Sequence, residues 1–81
     1  MGSMFKNPSG DFAGRLIESA GLKGTRIGNA EISPIHANFF VNHDKTSADD
    51  VKALILQVQK TVKDKFGVNL ELEVEMIGEW A

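Results

Sequence analysis

The spacing of hydrophobic residues predicts an amphipathic helix near the start of the chain. Asp11 is a good N-cap, and the apolar positions that follow it recur at helical intervals: Phe12, Leu16, Ile17 and Ala20. Gly21 comes where a helix-ending glycine is expected, so this helix should cover about ten residues.

A second, longer helix is predicted in the second half of the chain. Its apolar positions form one stripe at helical spacing: Val51, Leu54, Ile55, Val58 and Val62. Thr46 or Ser47 can cap its start, and the aspartates in the next turn suit the positive end of the helix dipole. Lysines followed by Gly67 indicate where the helix ends.

Two stretches between the helices have features of β-strands. Residues 25–33 alternate briefly around Gly28 and Asn29, a pair that predicts a bulge or a turn. Residues 37–42 are rich in aromatic and β-branched side chains, which favour strands.

The end of the chain predicts a further strand. Residues 70–76 alternate strictly, with leucine, valine and methionine facing the helices and three glutamates, Glu71, Glu73 and Glu75, facing away. A short extended piece is also expected at Met4 and Phe5. The resulting order is helix, strand, strand, helix, strand. It predicts a two-layer α+β domain, a small sheet with both helices packed on one face.

Composition excludes several classes of function. The 81 residues include 42% hydrophobic and 25% charged residues, the proportions of an ordinary globular domain. Without cysteine there is no disulfide, iron–sulfur cluster or thiolate zinc site, and we expect no metal. The formal charge of −2 gives no basic surface for nucleic acid, and no apolar run is long enough for a membrane span or a signal peptide. We therefore expect neither nucleic acid nor membrane as a partner.

Five residues are candidates for chemistry, each with a simpler alternative. Ser3, Lys6 and Asn7 could bind a polar or anionic ligand, although a solvated leader or residual vector sequence at the first three positions would look the same. Glu73 could act as an acid if its surroundings covered it, or it could belong to the solvent-facing side of a strand. His36 could bind phosphate, or it could be an ordinary polar turn residue.

Four motifs in order resemble a known family. The segments GSMFKNP, AGRLIESAGLKGTRIGNAEIS, HANFFVN and VQKTVKDKFGVNLELEVEMIGE are similar to the C-terminal domain of the UDP-N-acetylenolpyruvoylglucosamine reductase (MurB) family. The resemblance runs from Gly2 to about Glu79. It implies a cytoplasmic enzyme of peptidoglycan synthesis that reduces UDP-N-acetylglucosamine enolpyruvate to UDP-N-acetylmuramate. In that family NADPH reduces a bound FAD, which passes a hydride to the substrate.

The resemblance also implies roles for the five candidates. Ser3 matches the family's proton donor, and Glu73 matches the glutamate that assists at the substrate carboxylate. Asn7 matches an asparagine near the substrate diphosphate, and Lys6 lies beside it as a supporting cation. His36 matches a position near the nucleotide end of the substrate.

The resemblance implies a particular domain organisation. Residues 1–10 would form an active-site loop and residues 11–81 a substrate-binding domain. The FAD-binding domains, its partners in the whole enzyme, would be missing, so we expect no FAD or NADPH bound to this fragment and no activity of the fragment alone. The alternatives are a stand-alone nucleotide-sugar binding module and an interaction domain that uses the bare sheet face and Trp80.

Overall fold

The computed structural model describes residues 3–43 and 47–73. Its helices and strands follow one another as α1 (Ala13–Ser19), β1 (Arg26–Ile27), β2 (Ala30–Ile32), β3 (Phe40–Asn42) and α2 (Ala48–Phe66). In this part of the chain the strands form an antiparallel sheet in the order β1-β2-β3. The small sheet and its two helices confirm the predicted α+β class.

Helix α2 begins and ends where the local sequence predicts. The Ser47 hydroxyl accepts the backbone N–H of Asp50 at 3.1 Å, whereas the alternative cap, Thr46, lies outside the described residues. Gly67 adopts a left-handed conformation with φ 69° and donates its N–H to the Lys63 carbonyl, which ends the helix. Every residue of the predicted apolar stripe is buried.

Helix α1 is shorter than predicted, and Asp11 does not cap it. The helix has seven residues and begins after Phe12. The Asp11 carboxylate accepts the Phe12 N–H at 2.7 Å and pairs with Arg15, contacts that hold the chain just outside the helix. The hydrogen bond from Arg15, followed by that from Phe12, lowers the pKa of Asp11 to about 2. Gly21 ends the helix as predicted, with φ 76° and its N–H donated to the Glu18 carbonyl.

Of the bulge or turn predicted at Gly28 and Asn29, the structure has the turn, so the 25–33 stretch is a hairpin of two short strands rather than one strand. Strands β1 and β2 pair with Ile27 opposite Ala30, so Gly28 and Asn29 form a two-residue turn. This turn lies against the start of α2, where the Asn29 N–H donates to an Asp50 carboxylate oxygen at 3.3 Å. Gly28 has φ 56°, and a Cβ there would overlap the Asp50 carboxyl group unless that group moved, so the turn favours glycine.

Strand β3 covers only the second half of the predicted 37–42 stretch. Residues 37–38 form a turn instead, because the chain from β2 first bends around the buried Ser33. The Ser33 hydroxyl accepts the N–H groups of Ile35 and His36, each at 3.1 Å. This bend places the 36–38 segment at the end of the sheet.

The two ends of the described chain meet in an isolated antiparallel bridge between Phe5 and Leu72. The bridge confirms the short extended piece predicted at Met4 and Phe5. Within residues 70–73 strand pairing is limited to this bridge, and the rest of the predicted 70–76 strand lies outside the described residues.

The hydrophobic core lies between α2 and the sheet. Helix α2 packs against β1 and β2, and α1 packs beside α2. The ring of Phe5, only 1% exposed, meets Phe40 edge to face with ring centroids 6.1 Å apart. Burying this ring anchors the N-terminal segment to the core. No helix among the described residues is long and apolar enough to cross a membrane.

Candidate functional site

Backbone hydrogen bonds hold the N-terminal segment beside the last described residues of the chain. The Lys6 N–H donates to the Glu71 carbonyl at 2.8 Å, and the Glu73 N–H donates to the Met4 carbonyl at 2.9 Å. These two bonds flank the bridge and set an antiparallel register in which Met4 lies opposite Glu73. Ser3 directly precedes Met4. The structure therefore brings the backbones of two candidates, Ser3 and Glu73, close together from opposite ends of the sequence.

The side chains of this pair are not engaged by other residues in the described part of the chain. Ser3 is half-buried and Glu73 is exposed. Neither side chain makes a hydrogen bond or ion pair with another described residue. The backbone is thus held, and in this part of the chain the hydroxyl can still donate or accept a hydrogen bond and the carboxylate can still accept one.

Asn7 performs a structural task that the sequence did not predict. Its Oδ1 accepts the N–H of Ala13, the first residue of α1, at 3.0 Å. The N-cap residue, Phe12, makes no side-chain hydrogen bond, so Asn7 supplies the capping bond from outside the helix in place of Asp11, the predicted cap. Its amide nitrogen makes no hydrogen bond within residues 3–43 and 47–73, so an exposed donor remains beside the N-terminal segment.

A polar pocket of about 300 Å³ lies beside this segment. Its lining combines an ammonium group, two amides, a hydroxyl and a carboxylate: Lys6, Asn7, Pro8, Ser9, Asn69 and Glu71. Lys6 and Glu71 are neighbours across the two backbone segments, one on each wall. This set of groups can hydrogen-bond a polar ligand, and Lys6 can attract an anion.

His36 is exposed and does not line this pocket. Its ring packs against the ring of Phe39, with centroids 5.5 Å apart and planes at 47°. His36 is linked to the other candidates through the backbone. Asn38 lies two residues after His36, and its carbonyl accepts the Met4 N–H at 2.8 Å. The structure thus groups Ser3, Lys6, Asn7 and Glu73 and leaves His36 on the adjoining turn.

Asn38 is the residue of this site that sequence reasoning missed. Besides accepting the Met4 N–H, it binds the backbone of Phe5 through its side chain. The sequence contained a weak signal, since asparagine is unfavourable in a strand and often forms local hydrogen bonds in turns. The neighbouring aromatic residues instead favoured a strand throughout residues 37–42.

Within the described ranges no group of three or more histidine, aspartate or glutamate side chains is placed to hold a metal ion. The Trp80 surface of the interaction-domain alternative lies outside those ranges.

The sequence matches one family over nearly its full length. The family model described as the C-terminal domain of UDP-N-acetylenolpyruvoylglucosamine reductase matches residues 1–77. The chain belongs to this family. Membership confirms the resemblance that the four sequence motifs indicated.

Curated reductases of the same family are close in sequence. The chain is 62% identical to the UDP-N-acetylenolpyruvoylglucosamine reductase of Chloroflexus aggregans over 76 residues, which are 94% of this chain and 26% of the relative. It is 60% identical to that of Caldicellulosiruptor saccharolyticus over 79 residues, 98% of this chain and 26% of the relative. The chain thus spans about a quarter of the length of these relatives.

A solved reductase has the same fold over this region. The crystal structure of UDP-N-acetylenolpyruvylglucosamine reductase (MurB) from Thermus caldophilus aligns with a TM-score of 0.77 at 47% identity. The alignment covers 91% of this chain and 26% of the Thermus chain. The compact α+β unit described here is therefore the fold of the C-terminal reductase domain.

Proposed function

We propose that this domain provides the substrate-binding and proton-donating part of a UDP-N-acetylenolpyruvoylglucosamine reductase. The reaction converts UDP-N-acetylglucosamine enolpyruvate to UDP-N-acetylmuramate in peptidoglycan synthesis. The observation that carries the proposal is the backbone register that brings Ser3 beside Glu73, with the polar pocket around Lys6 and Asn7 next to them. Family membership supplies the reaction, and this juxtaposition supplies groups that suit it.

The proposed chemistry is the addition of one hydride and one proton across the carbon–carbon double bond of the enolpyruvyl group. Reduced flavin supplies the hydride when it is bound elsewhere in the enzyme. Negative charge then develops on the carbon beside the carboxylate, which makes that carbon basic. The Ser3 hydroxyl donates its proton there and is left as an alkoxide, which solvent reprotonates. A hydroxyl is a weak acid, so it can serve only because the carbon it protonates is strongly basic.

Glu73 assists the proton transfer at the substrate carboxylate in this proposal. In its protonated form, it can donate a hydrogen bond to that carboxylate and stabilise the charge that spreads onto it. The carboxyl group is exposed in the domain and has no described partner to compete for it.

The pocket beside the segment suits the charged end of the substrate. A diphosphate carries negative charge, and Lys6 and Asn7, which both line the pocket, carry an ammonium donor and an amide donor. Their positions support binding of the diphosphate, whereas His36 contacts the nucleotide end from the adjoining turn. A UDP-sugar does not cross a lipid bilayer unaided, which is consistent with action in the cytoplasm.

The loop, the substrate-binding domain and the FAD-binding domains of the enzyme have separate tasks in this proposal. Residues 1–10 act as the active-site loop and residues 11–81 as the substrate-binding domain. FAD and NADPH bind to the FAD-binding domains of the same enzyme, which are the partners of this domain. The large share of each reductase that lies outside the matched region supports this division.

Ser3→Ala tests the proposal in a full-length reductase that ends in this domain. Reduction of the flavin by NADPH should be unchanged, and reoxidation of the reduced flavin by substrate should slow by about 10²–10⁴-fold. Stopped-flow absorbance of the flavin separates the two half-reactions. Ser19→Ala, an exposed serine in α1, is the matched control and should react normally. Normal reoxidation in Ser3→Ala would refute the assignment of the proton donor.

A further inference from the structure

We propose that Asn38 is the positioning residue for Ser3, acting by holding the backbone of the two residues that follow the serine. The inference rests on the proposed function, because it concerns the orientation of the proton donor. Asn38 does not line the polar pocket and is not assigned a contact with substrate.

Asn38 binds this segment through three hydrogen bonds. Its backbone carbonyl accepts the Met4 N–H at 2.8 Å. Its side-chain Oδ1 accepts the Phe5 N–H at 2.9 Å, and its Nδ2 donates to the Phe5 carbonyl at 2.8 Å. The planar amide thus pairs with both polar groups of Phe5, as a neighbouring strand would.

Most backbone N–H and carbonyl groups of the N-terminal segment are hydrogen-bonded by these contacts. Asn38 is the partner of the N–H of Met4 and of both the N–H and the carbonyl of Phe5, and Glu73 is the partner of the Met4 carbonyl. The side chains of Met4 and Phe5 are 4% and 1% exposed, so water has little access to this backbone. Losing the Asn38 amide would leave two backbone groups without a partner in a largely dry place.

Ser3 depends on this segment for its position. In the described part of the chain Ser3 makes no backbone hydrogen bond of its own, so its orientation follows from the Met4 backbone. A rotation of the peptide between Met4 and Phe5 would displace the hydroxyl relative to Glu73. A misplacement of about 1 Å can reduce a reaction rate on the order of 10²-fold.

A double-substitution experiment in the full-length reductase tests this role. Asn38→Ala should slow reoxidation of reduced flavin by substrate at least about 10-fold and leave flavin reduction by NADPH unchanged. In a Ser3→Ala background, Asn38→Ala should cause no additional slowing, because its effect passes through the serine hydroxyl. Asn42→Ala, an exposed asparagine in β3, is the matched control and should have no effect.

The outcomes distinguish this inference from the proposed function. If Ser3→Ala reacts normally, the proposed function fails and the inference fails with it. If Ser3→Ala is slow while Asn38→Ala reacts normally, only the role of Asn38 is refuted. Equal slowing by Asn38→Ala with and without the Ser3 hydroxyl would also refute it, because Asn38 would then act independently of the serine.

Asn38→Asp provides a second test that does not depend on losing the side chain. Its carboxylate still accepts the Phe5 N–H but cannot donate to the Phe5 carbonyl until it is protonated. Partial burial against the Phe5 carbonyl disfavours the ionised carboxylate, so protonation begins above the usual range of an aspartate. The reoxidation rate relative to the unsubstituted enzyme should therefore rise as the pH falls from about 8 to about 5. Asn42→Asp should show no such rise. A pH-independent ratio for Asn38→Asp would overturn the proposed hydrogen-bonding role.

Discussion

Substitutions of Asn7 should separate the stability of the domain from its binding of substrate, because the two ends of the Asn7 amide have different tasks. Oδ1 accepts the Ala13 N–H at 3.0 Å and caps α1, whereas the exposed Nδ2 has no partner in the described part of the chain. Asn7→Ala removes both groups. Asn7→Asp keeps the acceptor and removes only the donor.

The expected loss of stability follows from the capping bond. Replacing a capping asparagine by alanine typically lowers the free energy of unfolding by about 1 kcal/mol. For a domain of this size, that loss lowers the melting temperature by about 4–8 °C. Asn7→Asp should be at least as stable as the unsubstituted domain, since an ionised carboxylate at a helix start contributes roughly 0.3–1 kcal/mol.

The expected loss of binding affinity should follow a different pattern from the loss of stability, because it depends on the Nδ2 donor, which both substitutions remove. A hydrogen bond to a charged group contributes about 1.5–3 kcal/mol, so either substitution should weaken binding about 10-fold or more. Asn7→Asp should have the larger effect, because it also places an anion on the pocket wall that is proposed to face the diphosphate.

Two measurements on the 81-residue chain test this separation. Urea unfolding followed by circular dichroism gives the stability, and amide chemical shifts on addition of UDP-N-acetylglucosamine give the binding. Asn42→Asp adds the same charge away from the pocket lining and is the matched control. Equal destabilisation by Asn7→Ala and Asn7→Asp would refute the capping role. Unchanged binding by Asn7→Asp would refute the donor role.

Two further predictions concern the fold. Gly28→Ala should lower the free energy of unfolding by about 2–3 kcal/mol, since the strain of φ 56° is added to the cost of displacing the Asp50 carboxylate from the Asn29 N–H. Gly67→Ala is the control, because Gly67 has φ 69° but open space around the new Cβ, and it should lower the free energy of unfolding by only about 1–2 kcal/mol. Equal losses of stability for the two variants in urea unfolding would contradict the role of Asp50. The Asp11 carboxyl should titrate at a pKa of about 2 when followed by NMR. Its contribution to the stability of the domain is therefore fully present above about pH 4, the ordinary pKa of an aspartate, and is lost as the pH falls through about 2. Arg15→Ala should raise that pKa towards the ordinary range, and an unchanged midpoint would contradict the Arg15 hydrogen bond.

The sequence was sufficient to predict features that depend on neighbouring residues. Helix α2 has its cap, its buried stripe and its terminal glycine within one continuous segment, and all three occur as predicted. Gly21 likewise ends α1. These signals are reliable because periodicity, capping and left-handed glycines act within a few residues of the chain.

Features that depend on distant residues could not be predicted in this way. Asp11 has the residue type of an N-cap, but its carboxylate is occupied by Phe12 and Arg15, and the capping bond comes from Asn7. The bonds between Asn38 and Phe5 span 33 positions, a separation that no local pattern reveals. Periodicity indicated only that some side chains of the last strand face solvent, and the family resemblance was needed to select among them.

The two asparagines also explain how the N-terminal segment can be firmly held without regular secondary structure. Asn7 and Asn38 each use a side-chain amide as a substitute for a backbone peptide, one at the start of α1 and the other beside Phe5. Asn38 can do this because its amide carries both a donor and an acceptor in one plane, whereas Asn7 uses only its acceptor. Since these bonds satisfy the backbone, the side chains of Ser3 and Lys6 remain available for the proposed substrate. Rigid support combined with free side chains is what a proton-donating site requires.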